Sequence, residues 1–356
     1  MLKKVVISIL CLVVLVFSIP VVFLALHPSA PETPQNVDKT DKTEEADSNG
    51  YQPVGAESDP TAAPLQVGTK EPMDTISVYI ALDDRVEDMD FSEYLKSSVA
   101  AEMPASFEEE ALKAQAVAVR TYILQRAEYY QKNGAPEEHK GAMTCTDPNH
   151  CKAWVSKEDK IKAWGVDGEL LWKKISDAVD KTRGVIMMYE GKPINAVFHA
   201  MSSGATEDAK DVWGSDVPYL KSVDSSLDKN APKYETSLSM TKDEFKKKMG
   251  ETIDGVDFTD GVFGEIERTA TGSITSIEIG KVKIKGSEFR SILDLRSTNV
   301  SFNVVGEVIN MTVHGYGHGV GMSQYGANFM AQEGKNYQEI LNAYYTGVEL
   351  VAYTEQ

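Results

Sequence analysis

The sequence predicts an α+β fold, helices packed with antiparallel β-hairpins, and three observations carry that expectation. Two helical patterns follow one another between Phe91 and Tyr130 across a proline corner. Three β-rich stretches broken by turn residues come later, at GVIMMYEGKPINAVFHA, ERTATGSITSIEIGKVKIKG and SFNVVGEVINMTVHG. Helices segregated from hairpins in this way define the class, and 42% hydrophobic residues in a chain of 356 suffice for a substantial core.

Taken in order, TISVYIAL (75–82) alternates apolar and polar residues and reads as a strand. The stretch from Phe91 to Ala101 is helical, and Pro104 disfavours helical geometry at Met103, so this helix ends beside Glu102. Ser106 followed by Glu109 matches a capping box, which predicts a second helix from Phe107 towards Tyr130. Its Ala111, Gln115, Val119, Tyr122 and Arg126 share a face, and Ala114, Ala116 and Ala118 permit close packing. A hairpin is expected around Glu190-Gly191-Lys192-Pro193, and SEFRSILDL reads as a helix between the later strands.

Ahead of this part, residues 5–26 are uncharged and apolar for about 22 positions, near the length that crosses a bilayer as a helix. Lys3 and Lys4 then place residues 1–4 in the cytoplasm and the remainder outside. A cleaved signal peptide is the competing reading, with Pro20 ending its apolar region and Pro28-Ser29-Ala30 supplying small residues. Residues 27–75, rich in Pro, Asp, Glu, Thr and Ser, form a flexible stalk. The expected organisation is cytoplasmic end, transmembrane anchor, stalk, and a single extracytoplasmic catalytic domain over 76–353.

The net charge of -18 argues against nucleic acid, whose phosphates require clustered Lys and Arg. An extended ligand is therefore held mostly by shape and hydrogen bonds.

One carboxylate stands out. Glu102 lies among Val99, Ala100, Ala101, Met103 and Pro104, and apolar neighbours raise a carboxyl pKa because the ion loses solvation. Such a Glu can serve as a general acid; the plain alternative is an exposed helix end. Glu108, Glu109 and Glu110 occupy the first turn of the next helix, where acids favour the dipole and solvent.

VAAEMPASFEEEALKAQAVAVRTY, AVFHAMSSGATEDAKDVWG with PYLKSVD, GSEFRSILDLRSTNVSF and GYGHGVGMSQYGA occur in this order. Together they resemble the stage II sporulation protein D family over nearly all of the folded part. The resemblance implies a membrane-anchored lytic transglycosylase that cuts peptide-stripped peptidoglycan glycan strands during forespore engulfment, with Glu102 as catalytic acid. It implies as partners the sporulation amidase (stage II sporulation protein P) and a multipass membrane protein (stage II sporulation protein M), and a place in the mother-cell membrane facing the intermembrane space. The expected substrate-binding residues are His199, Ser202, Ser203 and Gly204 in the second motif, and His318 and Gln324 in the fourth. Here the second motif has Ala200, Met201 and Ser203-Gly204 where the family has Ser, Thr and a Gly pair. Gly315, Gly317, Gly319 and Gly321 recur at every second position, which lets another backbone or a ligand approach. Arg296-Ser297-Thr298 is expected at a strand start, bracing a loop.

EEHKGAMTCTDPNHCKAW brings His139, Cys145, His150 and Cys151 into one loop. Two imidazoles and two thiols suit tetrahedral Zn2+ in a closed, structural site. A Cys145–Cys151 disulfide and free thiols are the alternatives. Two other functions stay open: a zinc-dependent cell-wall amidase or hydrolase using this quartet, and a glycan-binding scaffold without activity.

Overall fold

The structure is a computed structural model, and it describes residues 51–54, 68–148 and 150–353. The expected cytoplasmic end (1–4), the anchor (5–26) and most of the stalk (27–75) lie outside the described residues. Among the described residues no helix is long and apolar enough to cross a membrane.

Among the described residues the architecture is a mixture of helices and five small sheets. Its centre is the helix Glu109–Asn133, whose middle turns are buried on almost every face. Alanines at 111, 114, 116 and 118 keep its radius small, so Phe91–Glu102, Gly168–Asp180, Gln324–Gln332 and Tyr337–Tyr344 all pack against it or its neighbours. Tyr94, Leu112, Val117, Trp172, Met187 and Leu341 belong to this main core.

A second core gathers Phe245, Ile277, Phe289, Ile309 and Met311. Two antiparallel three-stranded sheets build it. One orders Val282–Lys285, Ile274–Ile279 and Phe263–Arg268; the other orders Val300–Val305, Val308–His314 and Glu235–Thr241. The helix Gly286–Leu293 covers the first, as SEFRSILDL foretells.

Three expectations change. The capping box at Ser106 does not form: the helix begins at Glu109, its N-cap Glu108 has no side-chain cap bond, and Asn328 Oδ1 accepts the Glu108 N–H at 2.8 Å. A tertiary contact has replaced the local one. The hairpin at 190–193 is present but its second arm is only Lys192–Pro193, because Phe198–His199 instead pairs in parallel with Met322–Ser323. Order also begins before residue 76. Tyr51–Val54 pairs with the chain's last strand, Glu349–Tyr353, and buried Glu71 takes both Nε and Nη2 of fully buried Arg120, at 2.7 and 3.0 Å. That bidentate pair pins 68–74 to the core, which composition alone assigns to the stalk.

Candidate active site

The first helix stops where Pro104 requires. Met103 takes an extended conformation (φ -126°, ψ 137°), leaving Glu102 as the last helical residue and Phe107 N–H bonded back to Pro104 O. A carboxylate at a helix C-terminus faces the negative end of the dipole, which already favours the neutral acid. Burial raises the Glu102 pKa further, and two groups oppose it: the Lys152 charge and the Ala153 N–H, which donates to Glu102 Oε1 at 2.8 Å.

Lys152 is buried between two rings, its Nζ 4.2 Å from the centre of Tyr122 and 3.9 Å from that of Phe198. Desolvation pushes its pKa down to about 8 against the pull of Glu102. Tyr122 comes from the central helix and Phe198 from the short parallel pair, so the cage joins three separate segments.

The fourth motif closes the site. Gln324 Nε2 donates to the Glu102 carbonyl at 3.1 Å and lies 3.4 Å from Gln115 Oε1, fastening the corner to the central helix. His318 and His199 lie with ring centres 5.6 Å apart. Both are tied to Val320: His199 Nδ1 donates to its carbonyl and His318 Nδ1 accepts its N–H, each at 3.1 Å. Burial depresses both imidazoles, His199 to about 4, and the Lys152 charge adds to the effect on His318. His199 Nε2 is buried without a hydrogen-bond partner among the described residues.

The glycines act through backbone proximity. Gly315, Gly317, Gly319 and Gly321 all have positive φ, and a Cβ on Gly317 would meet His199 Cβ at 2.7 Å.

Ser202 is turned elsewhere. Its N–H and hydroxyl both donate to Asp228 Oδ2, at 2.7 and 2.6 Å, and Ser225 and Ser323 hydroxyls donate to the same carboxyl group. Ser203 O accepts from Tyr234, and Gly204 N–H donates to Ser202 Oγ. These residues brace the strand end; Ser202 and Ser203 also border a polar notch that reaches His318. Arg296 packs its guanidinium 4.3 Å above the Tyr316 ring and accepts Gly317 N–H on its carbonyl, bracing the loop.

Glu109 pairs with Lys181 and Lys113, and Glu110 with Lys113 and the Tyr337 N–H, so both are structural. Sequence reasoning missed Lys152, Ala153 and Asp228. For the first two a signal existed, since they follow Cys151 directly; Asp228 carries none.

His139, Cys145, His150 and Cys151 present ligand atoms that all lie within 4.8 Å of one another. Both sulfurs are free thiols rather than a disulfide. Nε2 of His139 is 2.9 Å from His150 Nδ1 and 3.2 Å from Cys151 Sγ, and Cys145 Sγ is 3.5 Å from His150 Nδ1. Tetrahedral zinc bond lengths require ligand separations of about 3.3 to 3.8 Å. His139 Nδ1 points at Ala142 O, 3.1 Å away, which frees Nε2 for a ligand role. The donor set fits zinc, and Cys151 is followed immediately by Lys152, whose charge acts on Glu102, and by Ala153, whose N–H bonds to it.

Fold and site together define an α+β protein built on a buried central helix, with a desolvated helix-end acid and a Cys/His quartet on the loop that holds it. A family model described as SpoIID, stage II sporulation protein, matches residues 83–189. Stage II sporulation protein D of Bacillus subtilis is 41% identical over 276 residues, 78% of each chain, and that of Bacillus amyloliquefaciens 40% identical over 282 residues, 79% of this chain and 80% of the relative. The amidase enhancer of Bacillus subtilis is 28% identical over 314 residues, 73% of this chain but 40% of that protein. The chain belongs to the stage II sporulation protein D family.

Proposed function

We propose that the protein is a membrane-anchored lytic transglycosylase that cleaves the bond between N-acetylmuramic acid and N-acetylglucosamine in peptide-free peptidoglycan strands during forespore engulfment. The observation that carries this reading is Glu102: desolvated at a helix end, raised in pKa, and held by one backbone donor on Oε1. Neutral Glu102 protonates the bridging oxygen as the C1–O bond breaks, and the muramic acid C6 hydroxyl attacks C1. Glu102, now a carboxylate, takes the proton released by that hydroxyl. The proton count closes without water, and the product is a 1,6-anhydro end. An ordinary glycosidase needs a second carboxyl group, whereas an internal nucleophile needs only this one.

Lys152 supplies fixed positive charge beside the carboxylate formed in the first step. Gln324 positions the corner, and neighbouring sugars lie along the surface between the second and fourth motifs. Substrate free of peptides fits a place after the sporulation amidase, with the multipass membrane protein as a further partner.

Zinc, held by His139, Cys145, His150 and Cys151, is a structural part of this reading. All four positions of a tetrahedron would be filled by protein, so no place remains for an activating water. The metal would clamp the loop that carries Lys152 and Ala153.

Incubation of the full chain with peptide-free glycan, with products read by mass spectrometry, tests the proposal. Anhydro ends that disappear with Glu102→Gln are expected. Reducing ends, cut peptide links, or bound but unchanged strands would each overturn it.

A further inference from the structure

Asp228, in the short turn Ser226–Asn230, is fully buried, and its hydrogen-bond partners among the described residues are hydroxyls and one backbone N–H rather than a cation. Oδ2 accepts the N–H and the hydroxyl of Ser202 and the hydroxyl of Ser225, and Oδ1 accepts the Ser323 hydroxyl at 2.9 Å. Burial raises its pKa while these donors oppose the rise.

A helix end compensates the buried carboxyl group. Ser323 is the N-cap of Gln324–Gln332, its Oγ accepting the Gly326 N–H at 3.1 Å, and a Cβ on Gly326 would lie 3.1 Å from Asp228 Oδ1. The first turn of the helix therefore rests on Asp228, where the dipole favours negative charge. Gln324, the first residue of that helix, reaches the Glu102 carbonyl with Nε2 at 3.1 Å and lies 3.4 Å from Gln115 Oε1. A continuous route thus leads from Asp228 through Ser323 and one peptide unit to the residue that carries the acid. The donors on Oδ2 hold the other strand of the pair, since Ser202 closely follows His199, which pairs in parallel with Ser323.

We propose that Asp228 is a positioning residue for Glu102: through Ser323 it fixes the start of the helix that bears Gln324, and through Gln324 it fixes the backbone corner on which the acid is mounted. Its effect on turnover rests on the transglycosylase reading above, whereas the mechanical route does not.

Hydrogen exchange of the Gln324 side-chain amide, followed by NMR in the full chain with isotope-labelled glutamine and assigned by its loss in Gln324→Ala, reads that route without any activity. Asp228→Ala should speed the exchange about 10-fold, the protection given by one hydrogen bond. Ser323→Ala, which leaves Asp228 its other donors, should do the same and decides the matter if Asp228→Ala does not fold. Ser225→Ala, which removes a donor only from Oδ2, should leave the exchange unchanged. In the glycan assay, Asp228→Ala and Ser323→Ala should each lower kcat by up to about 100-fold with KM little altered, the effect of a misplaced acid, and should add nothing further in a Gln324→Ala background. Unchanged exchange in both Asp228→Ala and Ser323→Ala, equal acceleration in Ser225→Ala, or kcat losses that add to that of Gln324→Ala would each make Asp228 a general brace and overturn the assignment. A parent chain that yields no anhydro ends sinks the transglycosylase alone, because the exchange rates still decide the role of Asp228.

Discussion

Glu102 and Ala153 are joined by a single 2.8 Å hydrogen bond from backbone to carboxyl oxygen, and Ala153 stands two residues after Cys151. The helix corner and the Cys/His loop are therefore one mechanical unit. The acid's position depends on how the loop is held, and its proton affinity depends on the residue between them.

The first prediction concerns that affinity. The reaction needs neutral Glu102, whose pKa lies above the ordinary carboxylate value through burial, so turnover should fall as pH rises through the raised value. Lys152 lowers that pKa by its charge. Lys152→Met should accordingly move the alkaline limb of the pH–rate profile to higher pH, whatever it does to the maximum. A limb that stays in place or moves down would show that Lys152 does not act on Glu102.

The second concerns the metal. Purified full chain should carry about one zinc, and its removal by a chelator, or Cys151→Ser, should lower the thermal midpoint as well as turnover, because the four ligands close a structural tetrahedron. Metal analysis with a melting curve checks this. Loss of turnover with an unchanged melting curve would favour a catalytic metal instead.

The third concerns Glu71 and Arg120. Arg120 is fully buried, and its other contacts are the carbonyls of Val179 and Val185 and the Thr182 hydroxyl, so Glu71 is the partner that neutralises it. Glu71→Ala should cost about 3 to 5 kcal/mol, the price of stranding a buried charge. Denaturant titration measures it, and a loss below about 1 kcal/mol would contradict the assigned role.

These cases show what the sequence could and could not reveal. Pro104 fixes a helix end by local sterics, so the corner at Glu102 was legible, as were the hairpins of the second core with their period-two patterning. The Cys/His quartet was legible because ligand chemistry is carried by residue type. Non-local pairings were not. Nothing in Glu71 announces Arg120, and Phe198 reads as hairpin sequence although its partner is Met322, far along the chain. Asn328 displacing the Ser106 cap is the same effect at smaller scale. Ser202 and Asp228 likewise meet only through tertiary folding, so a residue expected to face sugar proves to be committed to a buried carboxyl group.

The last prediction uses that distant strand pair. Gly321 has φ +73°, and a Cβ there would lie 2.1 Å from Val197 O. That carbonyl accepts both the Met322 N–H at 3.2 Å and the Tyr345 hydroxyl at 2.8 Å. Gly321→Ala must push Val197 away, disturbing both bonds and the pairing that places Phe198 beneath the Lys152 ammonium. A left-handed alanine alone costs about 1 kcal/mol or more, and the collision adds to it. The variant should lose stability in denaturant titration, and any folded remainder should show an alkaline limb displaced upward, as in Lys152→Met, because a loosened cage holds the charge less firmly near Glu102. A variant of unaltered stability and pH profile would mean that the close approach of these backbones does not govern the acid.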